Sequence, residues 1–117
     1  MTEKEYLYLG YYVDTNNNFI LKIGTTNDLN RRQKEHTRKY RQTREHTLAE
    51  NAEFQYIWHL RLSRYNTHRY EDKNIEEWKL QNFGEYVRND RFVFSEVPKT
   101  AKITIRKEYE ISIKIPA

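Results

Sequence analysis

"LKIGTTNDLNRRQKEH", residues 21–36, runs from a strand through a turn into a helix. Leu21 and Ile23 alternate with Lys22 and Gly24, the two-residue period of a strand. Thr26, Asn27 and Asp28 offer an N-cap for a helix over 29–44. The apolar positions of that helix are sparse: Leu29 and, further on, Tyr40. Between them, at steps of three and four, stand Arg32 and His36. The face that should turn toward the protein thus carries a guanidinium and an imidazole.

The flanks extend this into a βα pattern. Residues 6–13, "YLYLGYYV", place Leu7, Leu9, Tyr11 and Val13 on one face and Tyr6, Tyr8, Gly10 and Tyr12 on the other. "DTNNN" from Asp14 is a turn cluster, and "FILKIG" returns as the second strand of a hairpin. One hairpin face reads as core; the other holds Tyr8, Tyr12 and Lys22. Residues 45–52 read as a connection. "EFQYIWHLRLS" (53–63) alternates as a strand, with Phe54, Tyr56, Trp58, Leu60 and Leu62 sharing a face. In "RYNTHRYEDKNIEEWKLQNF" (64–83), Tyr70, Glu71, Ile75 and Trp78 fall at helical spacing, with Gly84 placed as a stop. "RFVFSEV" (91–97) is a short strand. "KITIRKEYEISIKI" (102–115) alternates throughout without Gly, Asn or Pro, which predicts one long strand rather than a tight hairpin. The order β-β-α-β-α-β-β predicts an α+β domain with a mainly antiparallel sheet.

With 117 residues, 37% hydrophobic and 32% charged, the chain suffices for one domain with a thin core. Ten tyrosines imply that much of the burial comes from amphipathic rings. The formal net charge of +4 is unevenly spread: Arg31 to Arg44 holds eight basic residues, His36 included, and one acid. Tyrosines interleave with these cations, a pattern suited to phosphate tracking and base stacking. The absence of cysteine excludes disulfides and Cys-based zinc sites and is compatible with a reducing cytosol. No signal-peptide pattern or membrane-spanning apolar run is visible, so no membrane partner is expected.

"YLYLGYYV", "LKIGTTNDLNRRQKEH" and "THRYEDKNIEEWK" together resemble the GIY-YIG nuclease superfamily. The resemblance covers roughly residues 6–80 as a β-β-α-β-α core, within a single domain 1–117, and leaves 91–117 as a C-terminal β extension. It places Arg32 and His36 on the helix after the second motif's Gly24, and Glu71 on the next helix as metal ligand. Lys22 stands where that motif has its tyrosine. The first motif's tyrosine is Tyr12 if Gly10-Tyr11-Tyr12 is the motif and Tyr8 if "YLYL" is. Arg32 and His36 would then turn toward Tyr8, Tyr12 and Lys22, making a polar pocket between helix and sheet, not a second core.

What the resemblance implies is a metal-dependent endonuclease acting on phosphodiesters, DNA in preference to RNA. Glu71 would hold Mg²⁺ or Mn²⁺, since hard oxygen ligands suit an ion that keeps waters and a phosphate oxygen. Arg32 would fork onto the phosphate. Tyr8 or Tyr12 would act as base or orienter of the water, its pKa lowered by Lys22 and Arg32, with His36 supporting it. Glu76, Glu77 and Glu85 are fallback acids, and His59 and His68 read as structural or nucleic-acid contacts. Arg31, Lys34, Arg38, Lys39, Arg41, Arg64 and Arg69 are the expected nucleic-acid contacts, Tyr65 joining the last two. A cytoplasmic setting, in a bacterium or a virus-infected host cell, follows from the same resemblance. Two other classes remain: a non-catalytic nucleic-acid-binding module, and a protein-interaction or inhibitor domain. The long C-terminal strand is expected either to add to the sheet through "RFVFSEV" or, as a free edge, to pair with its copy in a homodimer.

Overall fold

In a computed structural model, which describes residues 3–116, the chain builds an antiparallel sheet around its first strand. β1 (Lys4–Val13) pairs with β2 (Phe19–Thr26) on one side and with β3 (Gln55–Ser63) on the other. Beyond β2 lie β5 (Arg91–Phe94) and then β4 (Glu85–Val87), in the order β3-β1-β2-β5-β4. α1 (Leu29–Gln42) covers one face and α2 (Arg64–Leu80) the other. The fold is α+β with two helices. The β1–β2 turn closes as "DTNNN" predicts: Asp14 accepts from the backbone of Asn16 and Asn18, and Asn17 takes φ 65°. Asp28 caps α1 by accepting from the Arg31 N–H, and Ser63 caps α2 by accepting from that of Asn66.

The hairpin's alternation sorts the two faces. Leu7, Leu9, Phe19, Leu21 and Ile23 pack against Tyr70, Ile75 and Trp78 of α2. The other face corrects the expectation of a polar pocket in place of a second core. Tyr8, Tyr12, Ile20, Tyr40, Leu48 and Phe54 form a buried cluster under α1, with His36 among them. Aromatic rings provide the apolar area that aliphatic residues do not, and each brings a polar group inside.

β3 also departs from its simple alternation. Leu9 pairs with Trp58 while Gly10 pairs with Tyr56, so Ile57 is an extra residue in a β-bulge. The bulge shifts the phase: Phe54 and Tyr56 face α1, whereas Trp58 and Leu62 pack with the α2 core. Gly10 permits this, because a β-carbon there would lie 2.2 Å from the Phe54 ring.

The C-terminal segment is not one long strand. β6 (Thr100–Arg106) and β7 (Tyr109–Lys114) form a separate two-stranded sheet that turns at Lys107–Glu108. Glu108 takes φ 59° without the glycine or asparagine that usually signals such a turn. Folding back places Ile103, Ile105, Ile111, Ile113 and Ile115 together with the α2 core, a gain that one extended strand would forgo. The apolar row thus finds its cover inside the chain, which removes the reason for expecting a dimer through it.

Asn74 holds this hairpin to α2. Fully buried, it donates through Nδ2 to Tyr70 O (2.7 Å) and Thr104 O (2.8 Å), and its Oδ1 accepts from Thr104 N at 2.7 Å. Trp78 Nε1 adds a bond to Lys102 O at 2.9 Å. Asn74→Ala leaves the Thr104 peptide unpaired in a dry interior. It should cost about 2–4 kcal/mol in urea unfolding, on the order of 1–3 for each stranded group. Amide exchange should accelerate at Thr104 and remain slow at Leu9.

Candidate functional site

Tyr8 and His36 form the centre of the α1 face. The Tyr8 hydroxyl and His36 Nε2 are 2.6 Å apart, both side chains buried. Gly24, paired with Tyr8 across β1–β2, makes the space: a β-carbon there would lie 2.4 Å from the Tyr8 oxygen. Phe54 and Tyr56 close on the Tyr8 ring edge-on, at 6.3 and 5.1 Å between centroids. Tyr40 stacks on His36 (5.3 Å, 12°), and Tyr12 stacks on Tyr40 (4.9 Å, 17°).

This packing corrects the expected direction of the tyrosine pKa. Burial raises Tyr8 far above the usual phenol range, with Tyr56 and Tyr40 adding to the rise and Arg32 only partly opposing it. Burial raises Tyr12 as well, against a hydrogen bond from Arg91. His36 moves the other way, to about 3, through burial and the cations Lys22, Arg32 and Lys39. At neutral pH the pair is therefore a phenol and a neutral imidazole.

Lys22 is buried on the same face as Tyr8, its ammonium donating to Asn89 O at 2.9 Å, and burial lowers its pKa to about 8. Arg32 is half-buried on α1; its Nη1 is 3.9 Å from Glu35, and its buried Nε has no partner. Glu71 is half-buried on α2, across the sheet from α1, yet its charge couples to Lys22 and Tyr8. The sheet is one-sided there. β5 pairs with β2 only over Phe19–Lys22, so Ile23–Thr26 have no strand on that side. Burial raises the Glu71 carboxyl, Lys22 and His68 opposing, with His68 Nδ1 4.0 Å away.

Of the six residues singled out as the centre, Tyr8, Lys22, Arg32, His36 and Glu71 come into electrostatic reach of one another. Tyr12 does not join the pair. Its hydroxyl donates to His46 O (2.7 Å) and accepts from Arg91 Nη1 (2.9 Å), and its ring supports His36 through Tyr40. Arg31, Lys34, Arg38, Lys39 and Arg41 are exposed along α1. Arg31 pairs with Glu35 at 3.5 Å, and Arg41 donates to Ala52 O. Arg64 lies on the far helix between Glu3 (3.4 Å) and Glu5 (3.5 Å), and Arg69 lies over the Tyr70 ring. Glu76 and Glu85 are exposed, while Glu77 accepts from Thr104 Oγ1.

Arg91 is the residue that sequence reasoning missed. It is 2% exposed, and it donates to Arg88 O, Tyr12 Oη and Glu45 O. "RNDRF" carries no mark that distinguishes a buried arginine from a surface one; its register opposite Lys22 exists only once β5 has docked.

The T5orf172 domain family matches residues 5–110. The chain belongs to this family. Its membership corrects the GIY-YIG resemblance, which rested on short motifs and ended near residue 80. The T5orf172 match runs on through β5, with Arg91, and into the C-terminal hairpin. It associates the chain with nucleic-acid-related, nuclease-like domains. Neither the curated proteins nor the solved structures compared with the chain gave a match. No helix among the described residues is long and apolar enough to cross a membrane.

Two measurements check this geometry. Gly24→Ala should displace the Tyr8 phenol and cost about 1–3 kcal/mol of stability, and the same change in a Tyr8→Ala background should cost much less. The second concerns acid. His36 binds its proton more weakly folded than unfolded, so its contribution is complete above about 6.5 and is lost as pH falls toward about 3. Unfolding free energy should fall in that window with a slope of up to about 1.4 kcal/mol per pH unit from this group, and His36→Gln should remove that share.

Proposed function

We propose that this T5orf172 domain hydrolyses phosphodiester bonds in nucleic acid, DNA in preference to RNA, with a divalent cation. The observation that carries this reading is the convergence of the Tyr8–His36 pair, Arg32, Lys22 and Glu71, drawn from both sheet faces. Arg32 has an unpaired buried Nε and an always-charged fork to place on a phosphate. In the tautomer with His36 Nε2 unprotonated, the Tyr8 oxygen can take a proton from an attacking water as its own passes to the imidazole across 2.6 Å. Because Lys22, Arg32 and Lys39 help to hold His36 down, an anionic phosphate among them raises the basicity of that imidazole when substrate arrives.

Among the described residues no group of three or more His, Asp or Glu is placed to hold an ion; Glu71, whose charge couples to Lys22 and Tyr8, is the carboxylate this reading assigns to it. One carboxylate suits Mg²⁺ or Mn²⁺, ions of the class that keep several waters and complete their shell with substrate phosphate. When bound, the ion would stabilise charge on the phosphoryl and leaving oxygens. Arg31, Lys34, Arg38 and Arg41 along α1 would hold the flanking backbone, and their phosphate contacts would make binding fall with salt.

One observation favours a second reading, a non-catalytic nucleic-acid-binding module: Tyr8 is 1% exposed and its phenol is held protonated. Supercoiled and single-stranded DNA and a matched RNA, each incubated with Mg²⁺, Mn²⁺ or chelator, separate the two. Hydrolysis predicts metal-dependent nicking, faster on DNA, abolished by Arg32→Ala and by Glu71→Gln without loss of fold. Salt-sensitive binding with no nicking under any condition would sink the enzyme reading and leave the module. Cleavage unaffected by both variants would refute the assignment of these residues.

A further inference from the structure

Lys22 and Arg91 are direct cross-strand partners in the β2–β5 ladder, so their side chains leave the same face of the sheet side by side. Both are more than nine-tenths buried. Two cations in that relation repel, and burial without a counter-ion adds a desolvation cost. Among the described residues neither has a carboxylate within ion-pair distance. Asp90 and Glu71 act on Lys22 from beyond that distance, and Asp90 Oδ1 accepts from the Tyr86 hydroxyl at 2.8 Å.

The hydrogen bonds they do make fix both heads and leave donors free. Lys22 Nζ spends one N–H on Asn89 O. Arg91 spends Nε on Arg88 O and Nη1 on Tyr12 Oη and Glu45 O, while Nη2 bonds to no described residue. The Arg91 guanidinium lies 5.2 Å from the centroid of the Tyr40 ring, and the fully buried Tyr40 hydroxyl has no partner. At Lys22 burial is opposed by the carboxylates Asp90 and Glu71 and reinforced by Lys39, exposed on α1, and by Arg91. Two neighbouring cationic heads, held by hydrogen bonds and with donors left over, suit an oxyanion.

We propose that the Lys22–Arg91 pair is a second phosphate subsite, taking the nucleic-acid backbone phosphate next to the one received by Arg32. The inference rests on the hydrolytic reading for its neighbour but not for its own chemistry. Lys22 supplies a point charge, and Arg91 supplies Nη2 from a guanidinium already aligned by three bonds. Bound anion offsets the repulsion across the ladder, so occupancy and a docked β5 reinforce each other.

The direct test uses the full wild-type chain, with arginine and lysine side-chain nitrogens followed by NMR. Inorganic phosphate is titrated against chloride at equal ionic strength, and then a short thymidine oligonucleotide without a terminal phosphate. Arg91→Lys assigns the Arg91 guanidinium signal. Saturable shifts of the Arg91 and Lys22 signals with both probes, and loss of phosphate-specific thermal stabilisation in Arg91→Gln, support the subsite. Shifts with inorganic phosphate alone would overturn its assignment to backbone phosphate. No shift at either residue would overturn the subsite altogether, whether or not Arg91→Gln folds. Cleavage is scored separately: a chain that nicks DNA without these shifts loses the subsite and keeps hydrolysis, and one that shows them without nicking does the reverse.

Discussion

The α1 face depends on a vacancy at residue 24. The Tyr8 phenol occupies the place where any other residue would put its β-carbon. That position sets the hydroxyl 2.6 Å from His36, and His36 fixes how α1 lies on the sheet. Tyr40 and Tyr12 then stack behind the imidazole, with Phe54 and Tyr56 closing around Tyr8. The β3 bulge is part of the same adjustment, since it returns Phe54 and Tyr56 to the α1 face after Trp58 has faced the other way. One missing side chain thus determines the approach of a helix, a strand and a proton-sharing pair.

Much of this was legible in the sequence because it is local. Alternation over "YLYLGYYV" and "FILKIG" assigns the hairpin faces, and Asp28 marks the start of α1. The polar face of α1 was read with Arg32 and His36 in the right place but with the wrong surroundings. Its surroundings are aromatic, supplied by Tyr12, Tyr40 and Phe54, which meet only in three dimensions. The pKa of Tyr8 went astray for the same reason: neighbouring cations are visible in a sequence, while the burial that outweighs them is not. Glu108 reverses the chain without a turn residue because the isoleucines on both sides are covered by α2. Arg91 was beyond reach, since its significance lies in a ladder partner 69 positions earlier, at Lys22.

The fold treats the basic groups on the α1 face in two ways. Lys22 and Arg91 are surrounded by carbonyls that hold them in place but leave them positive, at the cost of stability. His36 is surrounded by rings and cations that keep it neutral. A fold selected only for stability would replace the buried cations with apolar groups of similar shape, a change that is often neutral or favourable. Their retention side by side connects the packing of the domain to the handling of anions.

β5 begins at Arg91, opposite Lys22, and the last four residues of β2 are left without a neighbouring strand on that flank. A sheet normally insulates what lies above it from what lies below. Here β5 stops short of Ile23–Thr26, and the Glu71 carboxyl of α2 still acts on Tyr8 and Lys22, whose side chains lie on the α1 face. The aliphatic layer around Trp78 and the aromatic layer around Tyr8 otherwise pack as separate clusters. Drift within either layer is therefore free to alter stability or surface preference on its own side, whereas lengthening β5 toward Thr26 would cover the flank of β2 that β5 now leaves bare.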